Sequence, residues 1–288
     1  PPPIFLPSPP RAAALLSGLV GSEMCIRDSY IDRVNISVAI IPMQEQFGWS
    51  ELQVGIVLGT FYVGYMISMT LGGYLADKYG GKKVLGYALI IWSLFTIITP
   101  FFAYSGLWWL IFIRILLGLG EGVTFPAWHS IYARWIPFNE RTRAIAFTNS
   151  GISIGTIIGY IGTQMIIIAM GWEWAFYIFG VVGLVWFIFW YRNVTSYPND
   201  HQRITAEELA YIQENAPSSE PAKKIPLRQL LINKPFLAIV AATFANNWSL
   251  FVFLSFLPKQ RLRREKSYKL INCKKHTIYL RKYAPKLF

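Results

Sequence analysis

The chain has 288 residues, 54% of them hydrophobic and 15% charged, with mean hydropathy +0.38. A soluble domain carries about 25% charged residues, so this composition excludes an ordinary soluble fold. The net charge of +12 does not mark a nucleic-acid binder: eleven Lys/Arg and one Glu between Lys259 and Phe288 contribute +10, and the other 258 residues carry +2. The two cysteines, Cys25 and Cys273, offer neither a disulfide framework nor a thiolate metal site.

The apolar residues come in blocks, each close to the roughly 20 helical residues needed to cross a bilayer core. This predicts an all-α fold, a polytopic transmembrane helical bundle. Residues 1–29 are set aside: the stretch Leu19 to Ser29, "LVGSEMCIRDS", resembles the translated read-through of a transposon-based sequencing adapter. The first span is then a truncated one, "YIDRVNISVAIIPM" at 30–43. Spans two to six are expected at about 52–76, 84–103, 107–133, 144–169 and 174–191. Residues 192–235 read as a cytosolic linker with a short helix, started by a Thr205–Glu208 capping box and an Ile204–Leu209 staple. A seventh span is expected at 236–258, and 259–288 reads as a frameshifted basic tail. The expected organisation is an N-terminal six-helix unit at 30–191 plus the first helix of a second unit, a fragment of a longer protein.

Loop charges orient the bundle. The links after spans two and four hold Lys78, Lys82, Lys83, Arg134, Arg141 and Arg143; the alternate links hold Glu45, Glu51 and Glu173 and no Lys or Arg. Positive loops stay cytosolic. Trp108, Trp109, Trp172 and Trp174 fit the interfacial aromatic belt.

"FIRILLGLGEGV" at 112–123 places Arg114 and Glu121 two helical turns apart on one face, with Gly118 and Gly122. Glycines let a neighbouring helix approach, so that face looks inward. Charges inside the membrane cost several kcal/mol unless paired or hydrated, and they mark function by default; a helix-packing ion pair is the alternative. Asp32 and Arg33 repeat the theme in the first span, with Asn35 and Ser37 beyond. Arg33 and Arg114 supply two guanidinium forks suited to a carboxylate or phosphate, and Asp32 and Glu121 are carboxyls able to take a proton. An anion competing for an arginine would release a carboxylate, a route to coupled binding. Gly151, Gly155, Gly159 and Gly162 form a stripe expected to pack helices. His129 reads as a packing or interfacial residue. Tyr62 and Tyr65 can offer hydroxyls to a cavity.

"GGYLADKYGGKK" resembles the signature between helices two and three of the major facilitator superfamily, with Gly73, Asp77, Gly80, Lys82 and Lys83 in place. "YIDRVNISVAI", "FIRILLGLGEGVTFPAW", "WIPFNERTRA" and "GWEWAFYIFG" are similar to the anion:cation symporter family of sialin, vesicular glutamate, organellar phosphate and hexuronate or galactonate carriers. The resemblance implies symport of small organic anions or phosphate, coupled to protons or sodium, by alternating access, in a monomer with no enzyme activity, no cofactor, no bound metal and no nucleic-acid partner. It implies substrate contacts at Tyr30, Arg33, Tyr65, Arg114, Asn246 and Asn247, proton coupling at Asp32 and Glu121, and a cytosolic gate at the five signature residues. Met69 and Leu71 stand where many relatives have glutamine and proline. Asn246 stands where glutamate carriers have arginine, which favours a sialin-like or sugar-acid substrate over glutamate. The protein is expected to be integral to a plasma, inner or organelle membrane. A sugar or drug facilitator is the alternative within the class, disfavoured because neutral or cationic ligands need no pair of guanidiniums. An intramembrane enzyme is disfavoured because the spans hold no metal-ligand cluster or nucleophile elbow. A membrane scaffold or receptor is the alternative from another class.

Overall fold

In the computed structural model, the described residues are 13–138, 140–201 and 204–215, together with 232–235, 237–238, 241–242, 244–245, 248–249, 252–253 and 255. They are predominantly helical and contain no strand. The chain divides into two units, 1–223 and 224–288. In the second, the described positions between 232 and 255 are helical except Asn233. The basic tail at 259–288 lies outside the described residues.

The first unit runs α1 (Ala13–Phe47), α2 (Glu51–Tyr79), α3 (Gly81–Ser105), α4 (Leu107–Glu121), α5 (Thr124–Trp135), α6 (Arg141–Met170) and α7 (Trp172–Asn193). A 3-10 turn (Pro198–Asp200) and α8 (Ala206–Asn215) complete it. Five segments are long and apolar enough to cross a membrane: Glu51–Met69, Gly81–Ser105, Leu107–Trp135, Arg141–Met170 and Trp172–Asn193. Spans two to six thus lie where the apolar blocks put them.

The first helix differs from expectation. It is 35 residues long, not a 14-residue remnant, and it runs unbroken through the adapter-like stretch. The run from Ala13 to Ser29 contains no proline and little β-branching, so nothing local stops the helix. Every residue from Asp28 to Ile40 is buried, which makes α1 the central strut of the unit. Cys25 is a buried free thiol; Cys273 lies outside the described residues.

Around α1 the helices pair α1 with α6, α2 with α4, and α3 with α7. Small residues set these contacts. A Cβ at Gly118 would stand 2.0 Å from the Phe61 carbonyl oxygen, and one at Gly64 would stand 2.1 Å from that of Ile115, so α2 and α4 touch backbone to backbone. The α6 stripe behaves as sequence predicts over three of its four positions: Gly151, Gly155 and Gly159 lie on α1 at Glu23, Arg27 and Ile31, whereas Gly162 meets Phe179 of α7.

The ends of the helices have local causes. Ser50 caps α2 by a reciprocal box with Gln53: the Gln53 N–H donates to Ser50 Oγ (3.3 Å), and the Ser50 N–H to Gln53 Oε1 (2.8 Å). The reversal between α2 and α3 is made at Gly80, at φ +87°, where a side chain would be strained and would meet Ser196 Oγ at 2.8 Å. Thr205 sits just before α8, where a cap belongs, and its carbonyl accepts from the Leu209 N–H at 2.9 Å; the Glu208 side chain lies outside the described atoms. α8 folds back onto the α5–α6 loop through Phe138 N–H to the Asn215 carbonyl (3.2 Å) and Tyr211 OH to Glu140 Oε1 (3.3 Å).

Three belt residues fit their assignment and one does not. Trp108, Trp109 and Trp174 are exposed. Trp172 is buried, its indole N–H donating to Gln46 Oε1 at 2.7 Å while its ring stacks on Tyr104. The Tyr104 hydroxyl in turn donates to Glu173 at 2.6 Å, so this end of α1, α3 and α7 is tied by a polar and aromatic knot rather than by lipid anchoring.

Candidate functional site

α1, α2 and α4 converge on a cluster of charges inside the bundle. Arg33, Asp32, Arg114 and Glu121 are 4%, 4%, 3% and 0% exposed, so none snorkels to the membrane edge. Arg33 Nε donates to Glu121 Oε2 at 2.8 Å. The ion pair therefore crosses between α1 and α4. Arg114, although on the face of Glu121, does not make this pair; its guanidinium lies 4.9 Å over the Phe61 ring.

Phe61 is the residue that sequence reasoning missed. Its ring lies under both arginines, 5.5 Å from the Arg33 guanidinium carbon and 4.9 Å from that of Arg114. Both cations thus contact the same ring, a favourable contact for each. Arg33 is further stacked by Tyr30 at 4.8 Å and Tyr65 at 4.5 Å. Tyr65 is buried and Phe61 lies one turn before it on α2, so the i, i+4 spacing was the available signal.

The carboxylates are held differently. Asp32 Oδ2 accepts from Thr96 Oγ1 of α3 at 3.1 Å. Asp32 thus faces α3 while Arg33 faces α2 and α4, as adjacent helical residues must. Glu121 Oε2 also accepts from Ser29 Oγ at 2.6 Å. Asp32 Oδ1, Glu121 Oε1 and Arg114 Nε are buried with no hydrogen-bond partner among the described residues. Asn35 accepts from Thr163 of α6 at 3.4 Å and Ser37 donates to the Arg33 carbonyl at 3.1 Å; both belong to helix packing.

The α4–α5 span breaks next to Glu121. Gly122 and Val123 stay in right-handed helical conformation (φ −66°, ψ −19°; φ −76°, ψ −10°), so the span continues, but its ladder is interrupted. Pro126 accounts for one missing bond: it lacks the N–H that would reach the Gly122 carbonyl four residues earlier. Gly122 also lies on α2, where a Cβ would meet Ser68 Oγ at 2.1 Å.

The signature residues sit at the α2–α3 end. Asp77 and Lys83 are exposed, whereas Lys82 is half-buried and lies 4.8 Å over the Tyr191 ring. Gly72, rather than Gly73, makes the close approach, to Val123 of the broken span. His129 packs on Trp128 with ring centroids 4.4 Å apart. Asn246 and Asn247 lie outside the described residues.

The family model described as Major Facilitator Superfamily matches residues 28–268. The chain is 39% identical over 228 residues to the probable anion transporter 4, chloroplastic, of Oryza sativa subsp. japonica, covering 79% of this chain and 39% of that protein. It is equally similar, over the same share of its length, to the chloroplastic ascorbate transporter and the chloroplastic sodium-dependent phosphate transport protein 1 of Arabidopsis thaliana, covering 42% and 44% of them. The chain thus spans about two-fifths of the length of these relatives. The fold is shared with an inward-open structure of the xylose transporter XylE from E. coli, at TM-score 0.60 and 16% identity, over 85% of this chain and 63% of that one. It is shared also with an inward-facing, unoccupied bacterial homologue of the human lysosomal transporter Spinster, at TM-score 0.59 and 21% identity, over 88% and 56%.

Proposed function

The chain belongs to the Major Facilitator Superfamily and is an integral multi-pass membrane protein, and we propose that the whole protein is a symporter moving a small anion, phosphate or an organic acid such as ascorbate, together with a cation, proton or sodium. The observation that carries this reading is the buried Arg33–Glu121 pair with Arg114 on the same Phe61 ring. Relatives named for phosphate and for ascorbate transport support the anion class, and one named as sodium-dependent supports cation coupling.

An anion entering between the two guanidiniums accepts charged hydrogen bonds from both, which a neutral solute cannot repay. Tyr30 and Tyr65 pack their rings against the Arg33 guanidinium, at 4.8 and 4.5 Å. The anion competes with Glu121 for Arg33. Taking that arginine leaves a carboxylate buried without its counter-charge, which then favours a cation. Anion and cation therefore raise each other's affinity, by linkage the same factor in both directions. Asp32, held by Thr96, is the second carboxyl available for coupling, and Asp77 with Lys82 and Lys83 forms the cytosolic gate. In this fold the site lies between two halves and is exposed to each side in turn.

Counterflow of radiolabelled phosphate and ascorbate in proteoliposomes bearing the whole protein tests this; no exchange of any carboxylate or phosphate removes it. Arg114→Lys is expected to raise the half-saturating anion concentration about tenfold, since a charged hydrogen bond contributes roughly 1.5–3 kcal/mol and a point charge cannot replace the planar fork. Unchanged half-saturation would take Arg114 out of the site. Glu121→Gln is expected to keep anion exchange but lose accumulation driven by a cation gradient; persistent gradient-driven uptake would move coupling to Asp32.

A further inference from the structure

One edge of α6 is polar along most of its length. Asn149, Ser153, Thr156, Tyr160 and Gln164 recur every three or four residues, so they lie on one side of the helix, within about 80° of one another. At 1.5 Å per residue the stripe is about 22 Å long, most of the roughly 30 Å hydrocarbon core. Two other sectors flank it. Gly151, Gly155 and Gly159 lie on α1. Ile154, Ile158, Ile161 and Met165 are exposed and apolar, a surface suited to lipid. Asn149, Ser153 and Gln164 are exposed too, and Thr156 and Tyr160 are half-buried. The Thr156 hydroxyl donates to the Ile152 carbonyl at 2.7 Å. Hydrocarbon offers an exposed amide no hydrogen-bond partner, and polar side chains within spans face the bundle interior or a water-filled passage.

The packing of α6 on α1 sets the depth of this edge. A Cβ at Gly159 would stand 3.2 Å from Ile31 Cα and from Val34 Cβ, and Thr163 Oγ1 donates to Asn35 Oδ1 at 3.4 Å. Tyr160, between Gly159 and Thr163, is therefore at the level of Arg33. Tyr160 also interacts electrostatically with Tyr62 of α2, and Tyr62 interacts in turn with Arg114 and Tyr30. The Tyr62 ring packs edge-on against Phe61 at 5.2 Å. The polar edge of α6 thus passes the two arginines on the side of Tyr62. The arginines supply charge, which is sufficient for an inorganic anion. The edge supplies neutral hydroxyl and amide groups, each able to donate and to accept. Such groups match the hydroxyls of a solute, and a site built for them discriminates against an anion that lacks them.

We propose that this edge of α6 lines the passage, and that Tyr160 and Gln164 take the hydroxyl groups of a polyhydroxylated organic acid whose anionic group lies on Arg33 and Arg114. The assignment rests on the reading of the two arginines as the anion grip and narrows it: the cargo is a hydroxylated organic acid, and inorganic phosphate is the poorer one. Ser153 and Asn149 continue the edge toward the Arg141 end of α6, where they hydrate the passage.

Counterflow of radiolabelled gluconate, ascorbate and inorganic phosphate in proteoliposomes bearing the whole protein tests the assignment. Wild type is expected to half-saturate with gluconate or ascorbate at a lower concentration than with phosphate. Tyr160→Phe keeps the ring and removes the hydroxyl. It is expected to raise the half-saturating concentration of the hydroxylated acid about fivefold, the effect of one neutral hydrogen bond, and to leave that of phosphate unchanged. Gln164→Leu, at an exposed position, is expected to act in the same way should Tyr160→Phe not fold. Equal shifts for phosphate and the acids, no shift for either, or a preference for phosphate in wild type overturns the assignment. In a protein whose own cysteines are replaced by serine, Asn149→Cys, Ser153→Cys and Gln164→Cys are expected to react with a membrane-impermeant thiol reagent, and Ile158→Cys and Ile161→Cys to resist it. Equal reactivity on both sides of the helix overturns the passage. Absence of exchange with all three anions overturns the arginine reading itself, on which the assignment rests.

Discussion

Arg33→Met is expected to destabilise the protein by about 3–5 kcal/mol, the cost of stripping one partner from a buried ion pair. Glu121 is fully buried, and its Oε2 lies 2.8 Å from Arg33 Nε, so its charge has no route to water when the arginine goes. Methionine fills much of the same volume and keeps contact with the Tyr30, Phe61 and Tyr65 rings, so packing loss contributes little. The double variant Arg33→Met with Glu121→Gln removes the orphaned charge and is expected to recover most of the loss. Unfolding midpoints in detergent, taken around the full double-mutant cycle, give the coupling energy directly. Midpoints that simply add would mean that the pair carries no interaction energy. Both variants are expected to lose anion exchange, because the grip on the anion goes with Arg33 whether or not stability returns. Recovery of stability without recovery of exchange separates the structural role of the pair from its role in transport.

Gly118→Leu is expected to prevent the bundle from assembling. A Cβ there would stand 2.0 Å from the Phe61 carbonyl oxygen and 2.9 Å from the Tyr65 nitrogen. Both are backbone atoms of α2, which cannot rotate aside as a side chain can. The helices must separate, and overpacking of this kind costs more than about 3 kcal/mol. The separation would also move Phe61 and Tyr65 away from the arginines they support. Gly162→Ala is the matched control: its Cβ would meet only the Phe179 ring edge, at 3.4 Å, an ordinary contact. Size-exclusion profiles of the two proteins in detergent are expected to differ, with a folded peak only for Gly162→Ala. A folded Gly118→Leu protein would show that α2 and α4 do not need backbone contact here.

Much of this architecture can be read from the order of residues. Blocks of apolar residues at 52–76, 84–103, 107–133, 144–169 and 174–191 correspond to α2, α3, the α4–α5 pair, α6 and α7, because crossing a bilayer leaves few choices other than a helix. The two-turn spacing of Arg114 and Glu121, with Gly118 between them, already placed a charged face against another helix. The setting aside of residues 1–29 rested on a resemblance to adapter sequence and says nothing about helix propensity, so it did not anticipate that α1 runs from Ala13. The belt assignment of Trp172 used its position at a span end, but burial there depends on Gln46 and Tyr104, which come from other helices.

What sequence alone determined here is an intramembrane bundle with arginines and carboxyls turned inward, since hydropathy and helical periodicity are local properties of the chain and each segment carries its own. Only the tertiary structure decided that Glu121 pairs with Arg33 rather than with Arg114, that both guanidiniums contact the Phe61 ring, and that Thr96 holds Asp32. Those partners are 88, 53 and 64 positions apart for Glu121–Arg33, Arg114–Phe61 and Thr96–Asp32. Which helix faces show them to one another is set by how closely glycines such as Gly64, Gly118 and Gly122 let α2 and α4 approach, a property of the packed bundle rather than of any one segment.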